Sequence, residues 1–298
     1  MKIYNYFKFK IIKKESKKTL KWLGYFVLFF VFVSVLLSIG AVQTKIGSYV
    51  TNKINEDFGV NLTIEKVDLS FLGSVQLKGI QIRDHHKDTL IFVQKLSTSL
   101  LNAKRIIENE VHLKSVSLDG ADYHMKTYKG EEYDNMWVFI DSFNDGQPID
   151  SLRNPFVLQA SNVYITALNF KITDANKKDS LLYALRNVGG NLQNLAINGP
   201  DVSSNIRGLY FTDYYGLEVT NLTTDFSYSN TAMHFKSTRL QTKQTDLKGD
   251  INFTYTREEL KIFNDKVKIK ARFDKSEISV QDIKKFYNEL NGNDILDF

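Results

Sequence analysis

Cysteine is absent from all 298 residues, so no disulfide framework holds this chain and no thiolate serves as nucleophile or metal ligand. Proline is scarce: Pro148, Pro155 and Pro200 stand against 21 Phe and 15 Tyr. Little proline with many aromatic and β-branched residues favours extended sheet over disorder. Also missing are a nucleophile elbow, a glycine-rich phosphate loop and a His-Glu-x-x-His zinc motif. No carboxylate pair is singled out for glycosidase chemistry. The sequence therefore reads as non-enzymatic, with no cofactor and no metal implied.

A nucleic-acid footprint is missing too, although the formal charge is +5 and the pI about 9.0. The first 21 residues hold eight lysines and one glutamate, a net +7, so the rest of the chain nets −2. A body near neutrality has no electrostatic grip on a phosphate backbone.

What is present first is a membrane anchor. Trp22 to Thr44, WLGYFVLFFVFVSVLLSIGAVQT, runs 23 residues without a formal charge. As a helix it would rise roughly 34 Å, enough for a hydrocarbon core of about 30 Å. The basic flank (1–21) predicts a cytoplasmic tail, a signal-anchor over 22–44 and an exported body. Trp22, Tyr25, Phe29 and Phe32 are its anchoring aromatics. The competing reading is a cleaved signal peptide, with Ser38 and Gly40 before a cut at Ala41. A signal's apolar core normally runs about 7–15 residues, and this stretch is longer.

Ile46, Tyr49, Val50, Ile54 and Phe58 then fall at helical spacing ahead of Gly59. That predicts an amphipathic helix over 45–59, capping an apolar core or lying on the bilayer surface. From Val60 the period changes from 3.6 to 2. Leu62, Ile64 and Leu69 precede a turn, and Val75, Leu77, Ile80 and Ile82 follow with a one-residue slip at Lys78-Gly79. Such a slip suits a bulge. It recurs: VQLKGIQIRD (75–84), VHLKSVSLDG (111–120) and VYITALNFKI (163–172) share it. Looser strands follow at 188–197, 206–212, 217–228, 231–241, 247–256 and 266–273.

These repeats predict a mainly β body over 60–275: an elongated, curved antiparallel sheet, a repeating β-groove with few short helices. Its apolar lining falls to Leu62, Ile64, Leu69, Val75, Leu77, Ile80, Ile82, Val111, Leu113, Val116 and Leu118. About 15 strands at about 4.8 Å would make a trough of about 70 Å. Asn135–Phe143 reads as a short helix before a loop over 144–155. In the C-terminal part (276–298), Ser279-Val280-Gln281-Asp282 has capping-box form and opens a helix reaching Leu290.

Arg83-Asp84-His85-His86-Lys87-Asp88 is the densest polar cluster. Adjacent histidines on a strand point to opposite faces, so His85 and His86 could share a metal only from an irregular loop. The composition favours a solvated turn. His112, His124 and His234 alternate with apolar neighbours and read as polar-face strand residues, and Asp119, Asp122 and Asp174 as acids at strand ends.

The order of elements, with IEKVDLSFLGSVQLKGIQIRDHHKDTLIFVQKLSTSLLNAKRIIENEVHLKSVSLDGADYHM (64–125), TDLKGDINFTY (245–255) and SEISVQDIKKFYNEL (276–290), resembles the AsmA-like family, most closely its TamB branch in Bacteroidota. The matching elements are Leu69-Ser70, Gly73, Leu77-Lys78-Gly79-Ile80 with Asp84, Asp88-Thr89-Leu90, and Val116 to Ala121. The resemblance implies a single-pass inner-membrane protein with a periplasmic β-groove that moves phospholipid toward the outer membrane. Its implied partners are membrane phospholipids and an Omp85-type (TamA-like) outer-membrane barrel. It brings no catalytic residues. Members of that branch are much longer, and their characteristic C-terminal domain is absent after Phe298, so the chain is expected to be an N-terminal part or to hand lipid onward.

An apolar sheet face must be covered: by a second sheet, by closure into a barrel, or as a trough by something else. A trough lined by Leu, Ile, Val and Phe suits acyl chains, since each buried CH₂ is worth about 0.8 kcal/mol. The competing reading is an anchored scaffold, a filled sandwich whose edge recruits an assembly partner by strand addition.

Overall fold

The structure, a computed structural model, describes residues 39–70, 74–100, 110–141, 157–198, 201–256 and 266–286, with Tyr25, Leu28, Phe29, Val31, Phe32 and Glu259. The anchor expected over 22–44 lies largely outside these residues, Trp22 included. No helix among the described residues is long and apolar enough to cross a membrane.

Helix α1 (Gly40–Phe58) follows an extended Ile39 and stops at Gly59, whose left-handed φ of 64° ends it as the terminal glycine predicts. It starts five residues earlier than the spacing predicts, so Gly40–Thr44 belong to it. Gln43, Gly47 and Thr51 are buried, four residues apart. Gly47 meets Val67 so closely that a Cβ would sit 2.7 Å from that side chain. Asn55 clasps the backbone of Leu62 in both directions, at 2.8 and 2.9 Å, fixing the turn into the first strand. Of the expected apolar stripe, only the side chain of Tyr49 is described, and it is exposed.

Eleven strands follow in one open sheet, each beside its sequence neighbour. They are β1 (Asn61–Leu69), β2 (Ser74–Arg83), β3 (Thr89–Leu100), β4 (Glu110–Thr127), β5 (Val157–Asp174), β6 (Leu181–Asn198), β7 (Asp201–Asp213), β8 (Glu218–Tyr228), β9 (Ala232–Gln241), β10 (Asp246–Thr254) and β11 (Lys268–Phe273). Eleven described strands, against about 15 expected, span about 50 Å at about 4.8 Å apiece. The pairing is antiparallel except for β4 and β5, which run parallel from Glu110↔Val157 to Thr127↔Asp174. Parallel neighbours need a long crossover, and residues 128–156 supply it. Within it lies α2 (Asn135–Asp141); residues 142 and 143 of the helix expected there are outside the description.

Two of the three predicted slips, at Gly79 and at Ala167, are phase changes on a left-handed residue, and other strands change phase where no slip was predicted. Gly79 (φ 60°), Gly120 (63°), Ala167 (54°), Asn187 (52°), Asn194 (51°), Gly208 (62°) and Ser237 (50°) are all left-handed inside strands. Most sit in the same frame, with apolar residues three apart around them: Leu77 and Ile80, Leu118 and Ala121, Ile165 and Leu168, Ile206 and Leu209. An ordinary strand would send residues three apart to opposite faces; one left-handed residue returns them to the same face. The slip expected at Lys114-Ser115 is instead a register shift against Thr98 and Leu100 without a left-handed residue. Register aligns Gly79 with Gln94, Gln94 with Gly120, and Gly120 with Ala167. The phase changes therefore form a crease running across the sheet.

The chain ends its described part in α3 (Val280–Phe286). Ser279 Oγ accepts from Gln281 N at 3.2 Å, as its N-cap position predicts. Asp282 does not reach back to Ser279; it accepts from Thr242 (2.6 Å) and Thr245 (2.8 Å), and Thr245 Oγ1 takes the Ser279 N–H. A hydroxyl from the β9–β10 turn thus completes the cap and docks the helix. Tyr287 and Leu290 lie outside the described residues.

Candidate functional site

The apolar face is built by register. Ile64, Ile80, Val93, Ala121, Leu168 and Val188 stand opposite one another from β1 to β6, one row above the crease. Ile80, Val93 and Ala121 form a buried cluster there, joined by Leu62, Leu77 and Leu96. Beyond the crease a second cluster gathers Val116, Ala160 and Val163 with Leu113, Leu118 and Leu192. The face continues with Phe226, Phe235 and Phe253, whose rings are 5.1 and 6.0 Å apart in sequence.

Of the expected lining, Leu62, Ile64, Leu77 and Ile80 fall in the first cluster and Leu113, Val116 and Leu118 in the second. Leu69, Val75 and Ile82 are half-buried and outside both clusters; Leu69 and Val75 pair with each other, and Ile82 pairs with Leu62 and Ile91 of the first cluster. Val111 pairs with Leu158, and its side chain is not described. The expected lining did not include Val93, Ala121 or Ala160, nor Val163, although the repeat VYITALNFKI (163–172) opens on it. β3 opens on four consecutive apolar residues, Leu90 to Val93, so alternation gave Val93 no face, and the two alanines, small and equally common on either face, carried no signal.

Among the described residues no second sheet covers this face, and α1 packs over its β1 edge at Val67, the partner of Leu77. Among the described residues the largest fully buried side chains are Leu90, Asn135, Thr224 and Asp213, and three of those four are polar. A sandwich of two sheets would bury a mainly apolar set instead. Lys66, Lys78, Lys95, Asp119 and Thr166 stand opposite one another on the other face, beside the crease. The sheet is thus apolar on one side and polar on the other.

At one end of the sheet three hairpins open on an aspartate: Asp84, Asp174 and Asp213 each take the N–H of a residue two to four further on. The spacing places Asp174 correctly at a strand end, whereas Asp119 and Asp122 lie inside β4. Asp84 is 2% exposed, so its hairpin is not simply solvated. Its Oδ1 accepts from His86 N and Asp88 N, both at 3.0 Å. Its Oδ2 accepts from Tyr128 Oη at 2.7 Å and Asn135 Nδ2 at 2.8 Å. Asn135, buried at the start of α2, also takes Lys126 N and donates to His124 O. This web ties the β2–β3 turn to the crossover.

Charge follows the geometry. Burial, with hydrogen bonds to Asp84 and Asp88, raises the Tyr128 hydroxyl well above its ordinary range. The Lys126 ammonium, 2.8 Å away, and the Tyr128 hydroxyl hold Asp88 below its usual value. His86 and His85, in that order of effect, lower Glu131. His124 bonds Thr173 at 2.8 Å, and burial lowers its pKa, helped by Lys171 and Lys126. His234 bonds Asn252 at 2.7 Å.

No family model matches the chain, and no curated protein matches its sequence.

Proposed function

We propose that the chain is an inner-membrane-anchored periplasmic protein whose one-layer sheet carries phospholipid acyl chains along its apolar face toward the outer membrane. The observation that carries this reading is a continuous apolar row from β1 to β6 with no second sheet over it among the described residues. Each left-handed residue puts two polar-side positions between successive apolar-side ones, which keeps the apolar residues of each strand on one face across the crease. The resemblance of 64–125 to the AsmA-like family points the same way. So do Tyr25, Leu28, Phe29, Val31 and Phe32, helical and each more than half exposed. With Ile39 extended, an anchor over Trp22–Ser38 has 17 residues, about 26 Å of helix and the short end of what spans a bilayer.

The test is to extract the full chain in mild detergent and identify co-purifying lipid by mass spectrometry. Stoichiometric phospholipid is expected, and lost when Val93 and Val163 are replaced by aspartate in a protein that retains its strand content. A lipid-free, well-folded protein overturns the reading. A second reading, strand addition to an outer-membrane assembly partner such as an Omp85-type barrel, is favoured by β11. That strand is exposed at every residue, Ile269 at 60% and Phe273 at 52%. Partner crosslinks at β11 without lipid crosslinks from the apolar face would favour it.

A further inference from the structure

We propose that His85, His86 and Glu131 form a binding site for one divalent transition-metal ion, with zinc as the representative probe. The three ligand atoms lie within 4.8 Å of one another. His85 Nε2 is 2.9 Å from Glu131 Oε2, and His86 Nε2 is 2.6 Å from Glu131 Oε1. Two imidazoles and one carboxylate are the donor set of many three-ligand zinc sites, with a fourth position open to water. Tetrahedral bonds of about 2.0–2.1 Å place ligand atoms about 3.4 Å apart, so rotation of these partly exposed side chains closes the set.

Two adjacent histidines reach one point because they sit in the turn between β2 and β3. Asp84 N donates to Asp88 O and Lys87 N to Asp84 O, both at 2.9 Å, and Lys87 takes a left-handed φ of 68°. The rings stand edge to face, 4.5 Å apart, and His86 stacks on Tyr128 at 3.8 Å. Tyr128 is itself held by Asp84 and Asp88. Glu131 comes from a segment pinned on the other side: Asn176, at the β5–β6 turn, accepts from Gly130 N and donates to the carbonyls of Tyr128 and Glu131. Three turns therefore hold the donors before any ion arrives, which is the condition for affinity from only three ligands. The mixed nitrogen and oxygen set selects zinc, cobalt, nickel or copper over calcium and magnesium, which prefer all-oxygen shells. A bound ion would staple the β2–β3 turn to the crossover between the parallel strands. This inference is independent of the lipid reading.

The experiment titrates full-length, tag-free protein in detergent with Zn²⁺, Co²⁺ and Ca²⁺ by calorimetry, with Co²⁺ also followed by its visible d–d absorption. One Zn²⁺ per chain is expected, with no Ca²⁺ binding. Affinity should fall about tenfold or more in H85A, H86A and E131Q, and stay unchanged in H234A. Zn²⁺ should also slow amide exchange in 84–88 and 128–131 together, a readout that needs no variant. Binding that survives in E131Q and H86A, equal binding of Ca²⁺, or protection confined to one segment overturns the site.

Discussion

Two glycines separate the crease from ordinary packing. Gly79 and Gly190 both have positive φ, at 60° and 148°. A Cβ added at Gly79 meets the carboxyl end of Glu65, a flexible group that can swing aside. The remaining cost of Gly79→Ala is the left-handed backbone, about 1–2 kcal/mol. A Cβ at Gly190 meets Leu209 Cα at 2.7 Å and Gly208 O at 3.0 Å, which are backbone atoms of the neighbouring strand. To accommodate it β6 and β7 must part locally, losing ladder bonds worth about 0.5–1.5 kcal/mol each on top of overpacking of about 1–3 kcal/mol. Gly190→Ala should thus cost about 3–5 kcal/mol. Neighbour-dependent sheets open locally, so the assay is native-state amide exchange across β2 and across β6–β7, with urea unfolding by circular dichroism alongside. In a Glu65→Ala background Gly79→Ala should keep nearly all its cost. Equal costs at the two glycines, or a neutral Gly190→Ala, would refute the account of the crease.

Other expected outcomes follow from single contacts. Thr224, fully buried, donates to Lys236 O at 3.0 Å and pairs with Thr238 Oγ1 at 2.9 Å. Thr224→Val alone should cost about 1–3 kcal/mol, while Thr224→Val with Thr238→Val should cost less, as urea unfolding can measure. Asn135→Ala leaves the Asp84 carboxylate and two backbone groups short of partners, and should cost about 2–4 kcal/mol with faster exchange at 124–126. Burial depresses the folded pKa of His124, so its contribution is complete above about pH 6.5 and declines as pH falls below it. Unfolding between pH 7.5 and 5.5 should show that slope, reduced in His124→Gln. Arg239 and Lys248 hold Asp246 at about 2, so its contribution persists above about pH 4 and is lost only as pH drops toward 2.

The strands were legible because one face alternates, and Leu77-Lys78-Gly79-Ile80 displayed the phase change directly. Asn187, Asn194 and Ser237 make the same change with residues that also populate ordinary turns, so nothing in their identity announced it. The parallel β4–β5 pair was hidden because apolar alternation is the same for either direction; the helix and loop over 135–155 marked an interruption, not the end of the sheet to which the chain returns. Asp84 was hidden for another reason: a hexapeptide of charges and histidines reads as solvated until Tyr128 and Asn135, more than 40 residues away, are seen to bury it. Glu131, likewise distant, completes the histidine cluster without any local spacing to reveal it.

Photo-crosslinking in intact cells tests the central claim, that the apolar face holds lipid, most directly. A benzophenone side chain is placed at Val93 or Leu192 on the apolar face, and at Lys95 on the other. Phospholipid adducts are expected at Val93 and Leu192 and absent at Lys95. Adducts equal on both faces, or none at Val93 and Leu192 in folded protein, would contradict it.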